Sequence, residues 1–344
     1  MSESGPGFRP IAAETPPDVE ASPATKLSFR FRFSAHLSAG DAAGLRGALD
    51  ESDLYIPEGL GANAAALKRM RKIAQGNEHH YRDAQGQLSR ARQEYQRLQF
   101  AGSEHWIGTI DYEREVVTQL YQSGVPVLYV DLPEDDPRFA ELIQLAPTEP
   151  LDGQFDAFIS AMGERVQTQA RLQQSREHSI LQELVPKVTD YVASHPQLRS
   201  LPNVTVLITY GASHTRLYTE LKRTGHDATW EFPFKPYIFS PSDELQRRYM
   251  YGKEVSPSLL SKAAADMMLW PYIEQMIGTV TDSTDEKQWA RRMVCESLSE
   301  DEVRELYEIM CMTSQVEAGT PQSLISFLEV KVFPVLQVWR EQLP

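Results

Sequence analysis

The sequence predicts an α/β fold in which a central, mostly parallel sheet is flanked by helices, with a helical insertion and an all-helical C-terminal part. Short apolar runs alternate with helical patterns between residues 26 and 242, an order that is typical of parallel sheets. Beyond Pro241 the chain shows only 3.6-residue periodicity, as far as Gln342. We therefore expect the following parts: a disordered N-terminal tail at 1–25, an α/β core at 26–242 with a helical insertion at about 62–100, and a helical C-terminal region at 243–344 packed on the core.

Four apolar segments predict the strands of the core. KLSFRFRF, which begins at Lys26, places an apolar side chain at every second position. LYIP, VPVLYVDLP and NVTVLITYG are short apolar runs of the kind that parallel sheets bury. Helical patterns separate these segments, including one from Tyr112 to Ser123 and a long one from Phe155 to about His195.

Length, charge and cysteine content limit the classes of function. The 344 residues are 41% hydrophobic, enough for a sizeable core, and the net charge of −14 disfavours nucleic acid because it repels phosphate backbones. The spacing of Cys295 and Cys311 fits neither a disulfide framework nor a metal site. The N-terminus shows no signal-peptide pattern, and no run of about 18 apolar residues predicts a membrane span. We expect a cytoplasmic protein with no nucleic-acid or membrane partner.

Three of the predicted strands end on an ionisable side chain. FRFSAH ends on His36, LYIPE ends on Glu58, and VLITYGASH ends on His214. Because the carboxyl ends of parallel strands meet at one edge of a sheet, neighbouring strands would bring these side chains together. Two imidazoles and a carboxylate suffice to hold a catalytic divalent metal ion, and they also work without metal if one histidine is a general base. Taken singly, each residue also fits a capping or loop role.

Four short motifs follow one another along the chain, and their order resembles that of a known group. They are Phe33-Ser-Ala-His36, Ile56-Pro-Glu58, Arg176 within SREH, and Gly211-Ala-Ser-His214. The TraB/TIKI-type proteins, which belong with the erythromycin-esterase-like and ChaN-like folds, have a strand ending in Gly-x-x-His, a strand ending in Glu, a helical Arg and a second Gly-x-x-His. The last motif matches fully, whereas Phe33 stands where the first motif has glycine. The resemblance covers roughly residues 26–231.

The resemblance implies a hydrolase that cuts an ester or amide bond in a small-molecule or peptide substrate. Its catalytic residues would be His36, Glu58, Arg176 and His214, and its divalent metal ion would be held by His36, Glu58 and His214. Such an ion would lower the pKa of a bound water and polarise a carbonyl group. Arg176 would stabilise the developing oxyanion or orient Glu58. Without metal, His36 or His214 would activate water, with Glu58 fixing the tautomer.

Two other functions stay open at this point. A non-catalytic binding or regulatory module that keeps the fold would suit Phe33 at the motif glycine, the polar insertion and the C-terminal helices. A protein that binds haem or another iron compound is the third possibility, because the group that the chain resembles includes such proteins.

Residues near these motifs carry weaker expectations. Asp131, at the end of VPVLYVDLP, is a secondary site candidate that could point into the same cleft, although its position before Pro133 favours a turn or capping role. Glu177 and His178 follow Arg176 on a helix, where adjacent side chains diverge by about 100°, so at most two of the three can face one site. Tyr210 is expected to serve packing.

Overall fold

A computed structural model describes the chain at residues 25–36, 38–58, 112, 115–116, 118–120, 122–132, 154–234, 238–278, 280–314 and 322–343. The elements of the first part are β1 (Lys26–Ser34), α1 (Leu45–Asp50), β2 (Leu54–Pro57), α2 (Phe155–Ser194), α3 (Pro196–Arg199), β3 (Asn203–Gly211), α4 (Thr215–Arg223) and β4 (Asp227–Glu231). The described residues between 112 and 123 are also helical. The C-terminal part contains α5 (Pro241–Met250), α6 (Pro257–Ile277), α7 (Thr284–Ser297), α8 (Glu300–Ser314), α9 (Gln322–Phe327), a π-helix (Leu328–Val332) and α10 (Phe333–Glu341).

The sheet is parallel throughout, with strand order β2-β3-β1-β4. Ser34 at the end of β1 pairs with Gly211 at the end of β3, and Pro57 at the end of β2 pairs with Thr209. The carboxyl ends of the three neighbouring strands therefore lie at the same edge. This arrangement confirms the predicted α/β fold with a parallel sheet, flanking helices and a helical C-terminal part.

Different helices cover the two faces of the sheet. Side chains alternate between these faces along each strand, so each strand contributes to both. Phe29, Phe31 and Phe33 point to one face and belong to a core that includes residues of α2 and α4. Tyr55 and Leu207 point to the other face and pack with α1 and with the helical residues after 112. Helices on both faces explain why β2 is buried at every position.

Helix α2 joins the sheet to the C-terminal helices. It has 40 residues and is therefore about 60 Å long. Phe158 and Met162, near its start, belong to the core of the C-terminal helices, whereas Ile180 and Val188 belong to the core of the sheet. The middle of the helix is consequently held at the junction between the two cores. None of the helices in the described ranges is long and apolar enough to cross a membrane.

The segment VPVLYVDLP is not the strand that its composition predicts. Among its described residues, 125–132, only Val127 forms a bridge, which is to Tyr55 of β2. Tyr55 N donates to Pro126 O and Leu128 N donates to Tyr55 O, each at 2.9 Å. The adjacent Pro126 has no N–H to extend a ladder. The predicted tail, apart from Thr25, and the predicted insertion at about 62–100 lie outside the described residues.

Candidate active site

The ends of three adjacent strands place the predicted side chains together. Glu58 directly follows β2, and its backbone N–H donates to Thr209 O on β3 at 2.9 Å. His36 lies two residues beyond β1. His214 ends a single turn of 3₁₀ helix, Ala212–His214, which follows β3 and leads into α4. The parallel register thus brings side chains from distant parts of the sequence to one edge of the sheet.

The carboxylate of Glu58 is the centre of this cluster. Its Oε1 lies 2.9 Å from His214 Nε2 and 3.1 Å from Arg176 Nη2. Its Oε2 accepts a hydrogen bond from the Gly211 backbone N–H and lies 3.5 Å from His36 Nδ1. One carboxylate therefore contacts both histidines and the arginine predicted from the sequence.

Gly211 is needed at its position for space. A Cβ atom there would lie 3.2 Å from Glu58 Oε2 and 3.7 Å from His214 Cδ2. The backbone φ of −55° is open to any residue, so glycine serves close approach rather than an unusual conformation. The glycine of the Gly-x-x-His motif consequently allows the Glu58 carboxylate to contact the backbone directly.

Helix α2 contributes three polar side chains on one face. Arg176 and Glu177 lie three and four positions after Gln173, the spacings that place side chains on the same face of a helix. All three side chains are buried. His178 faces solvent and contacts Gln182, so the expectation that at most two of the residues 176–178 face the site is confirmed.

Arg176 is held between two carboxylates. Besides Glu58, it contacts Asp131 through two groups, Nε to Oδ1 at 3.0 Å and Nη2 to Oδ2. Asp131 is therefore a partner of the site arginine, and its Oδ1 also accepts from the Leu132 N–H at 2.7 Å, a contact typical of the turn residue that the sequence predicts. Its pairing depends on the contact between the segment after Val127 and helix α2, which a local sequence pattern does not reveal.

His214 is buried with a carboxylate on each side of its ring. Nε2 faces Glu58, Nδ1 lies 3.1 Å from Glu177 Oε1, and the side-chain amide of Gln173 lies within 2.8 Å of both ring nitrogens. Burial alone would lower the pKa of His214, but the charge of Glu58 and hydrogen bonds to Glu177 and Glu58 raise it to about 9. At neutral pH this ring is an imidazolium.

The same charges fix the ionisation of Glu58 and Arg176. Burial would raise the pKa of Glu58, but the charges of His214 and Arg176 hold it well below its usual value. For Arg176, burial lowers the pKa, and Glu58 and Asp131 more than compensate. The pKa of nearby Tyr210 is raised, first by burial and then by Asp131, so its hydroxyl stays protonated.

His36 occupies an unusual backbone conformation at the accessible side of the cluster. Its φ is +57°, and it is the one residue other than glycine with a positive φ in the described ranges. Its ring stacks on Tyr112, with centroids 4.6 Å apart and planes 12° from parallel. The side chains of His36 and Glu58 are 11% and 21% exposed, against 7% for Arg176 and 2% for His214. A substrate approaching this edge would meet His36 and Glu58.

Two of the predicted metal ligands already lie beside another cation. Glu58 Oε1 and His214 Nε2 lie 3.1 and 3.3 Å from the Arg176 guanidinium, whose charge is permanent. Within the described ranges, no group of three or more His, Cys, Asp or Glu side chains is arranged to hold a metal ion. His36, Glu58 and His214, as placed beside Arg176, therefore do not fit a metal ion. Metal analysis of the purified protein is the test that this prediction needs.

Comparison with known proteins does not identify the chain. No family model, no curated protein and no solved structure matches it. The resemblance to the TraB/TIKI-type proteins stays a prediction.

Sequence reasoning missed several neighbours of the four predicted residues. Gln173 lies outside the four motifs, and the pattern that begins at Tyr112 predicts only a helix. The spacing of Gln173 from Arg176 and Glu177 was a usable signal, because residues three and four apart share a helix face. The stacking of Tyr112 on His36 has no such signal, since it joins positions 76 residues apart.

Proposed function

We propose that this protein is a hydrolase that cleaves an ester or amide bond by activating a water molecule at His36. The observation that carries the proposal is the Glu58 carboxylate, which contacts His36 on one side and the paired cations His214 and Arg176 on the other. The strained backbone of His36 is a second support, because such conformations cluster at functional sites.

The two histidines suit different roles. His214 is protonated at neutral pH, so it cannot accept a proton from water, and it supplies positive charge beside Glu58. His36 Nδ1 faces Glu58 Oε2 at 3.5 Å, a distance that we expect to shorten when substrate binds. With its Nδ1–H directed at the carboxylate, His36 presents the lone pair of Nε2 as the base.

Arg176 and His214 keep the orienting carboxylate ionised. A neutral glutamic acid would accept the Nδ1–H of His36 less strongly and would not stabilise the imidazolium that forms when His36 takes a proton. The contacts of Arg176, with Glu58 and Asp131, support the orienting role rather than a direct role toward an oxyanion.

Turnover by matched variants tests this function. We expect purified protein, treated with a chelator, to hydrolyse at least one member of a panel of small esters, amides and peptides. His36→Gln should reduce kcat by about a hundredfold or more, since a positioned base contributes on the order of 10²–10⁴. Glu58→Gln should reduce it similarly. His178→Gln, an exposed histidine on α2, is the matched control and should leave kcat unchanged.

A non-catalytic binding module is the second candidate. This function is favoured by the ion pairs within the cluster. Glu58, Arg176 and His214 already contact one another, and Asp131 or Glu177 completes their pairing. The same panel separates the two functions. Absence of turnover of every substrate class would exclude the hydrolase and leave binding. Equal rates for wild type and His36→Gln would exclude His36 as the base.

A further inference from the structure

The backbone around His36 is held by the C-terminal helices and not by the sheet alone. We define the β1 loop as Ala35, His36 and residues 38–44. The N–H of Ala35, the residue before His36, donates to Asp285 Oδ1 at 3.0 Å. Asp285 lies in the first turn of α7, 250 positions further along the chain, and is 1% exposed. A buried carboxyl group thus binds the peptide group that sets the direction of His36.

A second carboxyl group links the same two segments, but here the loop supplies the acceptor and the start of α7 supplies the N–H. Asp41, in the β1 loop, accepts from the Thr284 N–H at 2.8 Å through Oδ1 and from the Ser38 N–H at 2.9 Å through Oδ2. The Ser38 hydroxyl donates to the Asp282 carbonyl oxygen. The loop and the start of α7 therefore exchange side-chain hydrogen bonds in both directions.

Gly40 allows the loop to pack directly against the segment before α7. A Cβ atom on Gly40 would lie 3.0 Å from the Asp282 carbonyl carbon and 3.1 Å from Ser283 N, so the two backbones are in direct contact. On the sheet side, Arg32 donates to the Ala43 carbonyl oxygen at the far end of the loop.

Burial and the nearby charge of Asp41 both favour the neutral form of Asp285. Burial, followed by the charge of Asp41, raises the pKa of Asp285 to about 8, while the Ala35 N–H and Arg32 oppose the rise and Asp243 adds to it. At neutral pH Asp285 is thus a carboxylic acid, which an asparagine side chain matches in shape, charge and acceptor oxygen.

We propose that Asp285 is a positioning residue for His36, so that the C-terminal helices complete the site at the sheet edge. The inference rests on the function proposed above, in which His36 is the base. Asp285 does not touch the reacting atoms; it fixes the peptide group before a residue held at a φ of +57°. A base that is displaced by a fraction of an ångström loses much of its effect.

Four proteins test the proposal: wild type, Asp285→Ala, Asp285→Asn and Asp282→Ala. Asp282 is exposed and offers the loop only its backbone oxygen, so Asp282→Ala is the matched control. The measurements are the amide exchange rate of Ala35, the NMR signals of the His36 ring, and kcat and KM on the substrate found with the panel.

In Asp285→Ala we expect Ala35 to exchange about tenfold faster or more, the His36 ring signals to shift, and kcat to fall about 10- to 100-fold with KM within about threefold. Asp285→Asn should restore all three, because it keeps the acceptor oxygen, and Asp282→Ala should behave as wild type. Unchanged Ala35 exchange and His36 signals in Asp285→Ala would overturn the inference, as would the failure of asparagine to restore them.

The two proposals can fail separately. If Ala35 and His36 respond but no substrate is turned over, the positioning role stands and the hydrolase fails. If His36→Gln abolishes turnover but Asp285→Ala does not alter it, the hydrolase stands and the positioning role fails. Should Asp285→Ala not fold, Asp41→Asn removes one of the two acceptors of Asp41 and should change the same measurements in the same direction.

Discussion

At the scale of single residues, the tightest requirement of the site lies at Gly211. Its N–H donates to Glu58 Oε2, and the space beside it is taken by that oxygen and by His214. Substitution by alanine would bring a methyl group to 3.2 Å from Glu58 Oε2, in a carboxylate that His36, His214 and Arg176 hold in place. The carboxylate would have to shift by a few tenths of an ångström.

We predict that Gly211→Ala destabilises the protein by about 1–3 kcal/mol, as overpacking commonly does, and lowers kcat by tenfold or more. The matched control is Gly47→Ala in α1, where nothing lies within 4 Å of the new atom and where alanine should stabilise by about 0.5–1 kcal/mol. Urea unfolding and initial rates measure both. Wild-type stability and activity in Gly211→Ala would show that the close approach has no consequence.

The ionisable residues at the strand ends could be identified from the sequence, whereas their contact partners could not. His36, Glu58 and His214 each follow an apolar run, a pattern that local reading detects. Asp131 gave only a weak signal as a secondary candidate, since its partner Arg176 lies 45 positions away. Asp285 gave none, because its role depends on the packing of α7 against the β1 loop.

At the scale of elements, the period of the apolar pattern predicted helices well and one strand badly. The long pattern from Phe155 to about His195 predicted α2, which ends at Ser194. VPVLYVDLP has strand composition, but Val127 forms only a bridge to β2. Composition reports the tendency of a segment to be buried and extended, and the number of ladder hydrogen bonds depends on a partner strand that the segment itself does not specify.

The parallel sheet is the element-level reason that a site exists at this edge. In a parallel sheet with helical crossovers, every strand ends at the same edge, so side chains from positions 36, 58 and 214 need no long loops to meet. The sequence predicted that edge, but it could not predict strand order. The position of β3 between β2 and β1 is what places Gly211 against Glu58.

At the scale of the whole molecule, helix α2 and helix α7 make one unit of the sheet and the C-terminal helices. Helix α2 contributes to both cores and carries Arg176 between them, and α7 reaches the β1 loop through Asp285. The sequence predicted a helical C-terminal region, but nothing in it indicated that this region contacts the site.

The pH dependence of stability reports this contact. Folded Asp285 keeps its proton up to about pH 8, whereas an unfolded aspartate loses it near pH 4. Between these values the folded state binds one more proton, so the contribution of Asp285 to stability falls as pH rises and levels off above about pH 8.

We predict that the free energy of unfolding of Asp285→Asn, relative to wild type, rises with pH by up to about 1.4 kcal/mol per unit between about pH 5 and pH 8 and then stays constant, because asparagine does not titrate. Asp282→Asn, at an exposed position, should show no such trend. Urea denaturation over this range measures the difference. A difference that does not depend on pH would mean that Asp285 is already ionised in the folded protein.

The proposed mechanism depends most on the division of roles between the two histidines. NMR titration of the histidine ring nitrogens tests it directly, with the His214 signals assigned by their loss in His214→Gln. We expect His214 to carry protons on both nitrogens at neutral pH, with a pKa of about 9, and Glu58→Gln to lower this pKa because burial then acts with less opposition. A His214 ring that is neutral at pH 7 in the wild-type protein would contradict it, because His214 would then be available as a base and Glu58 would lack one of its two cations.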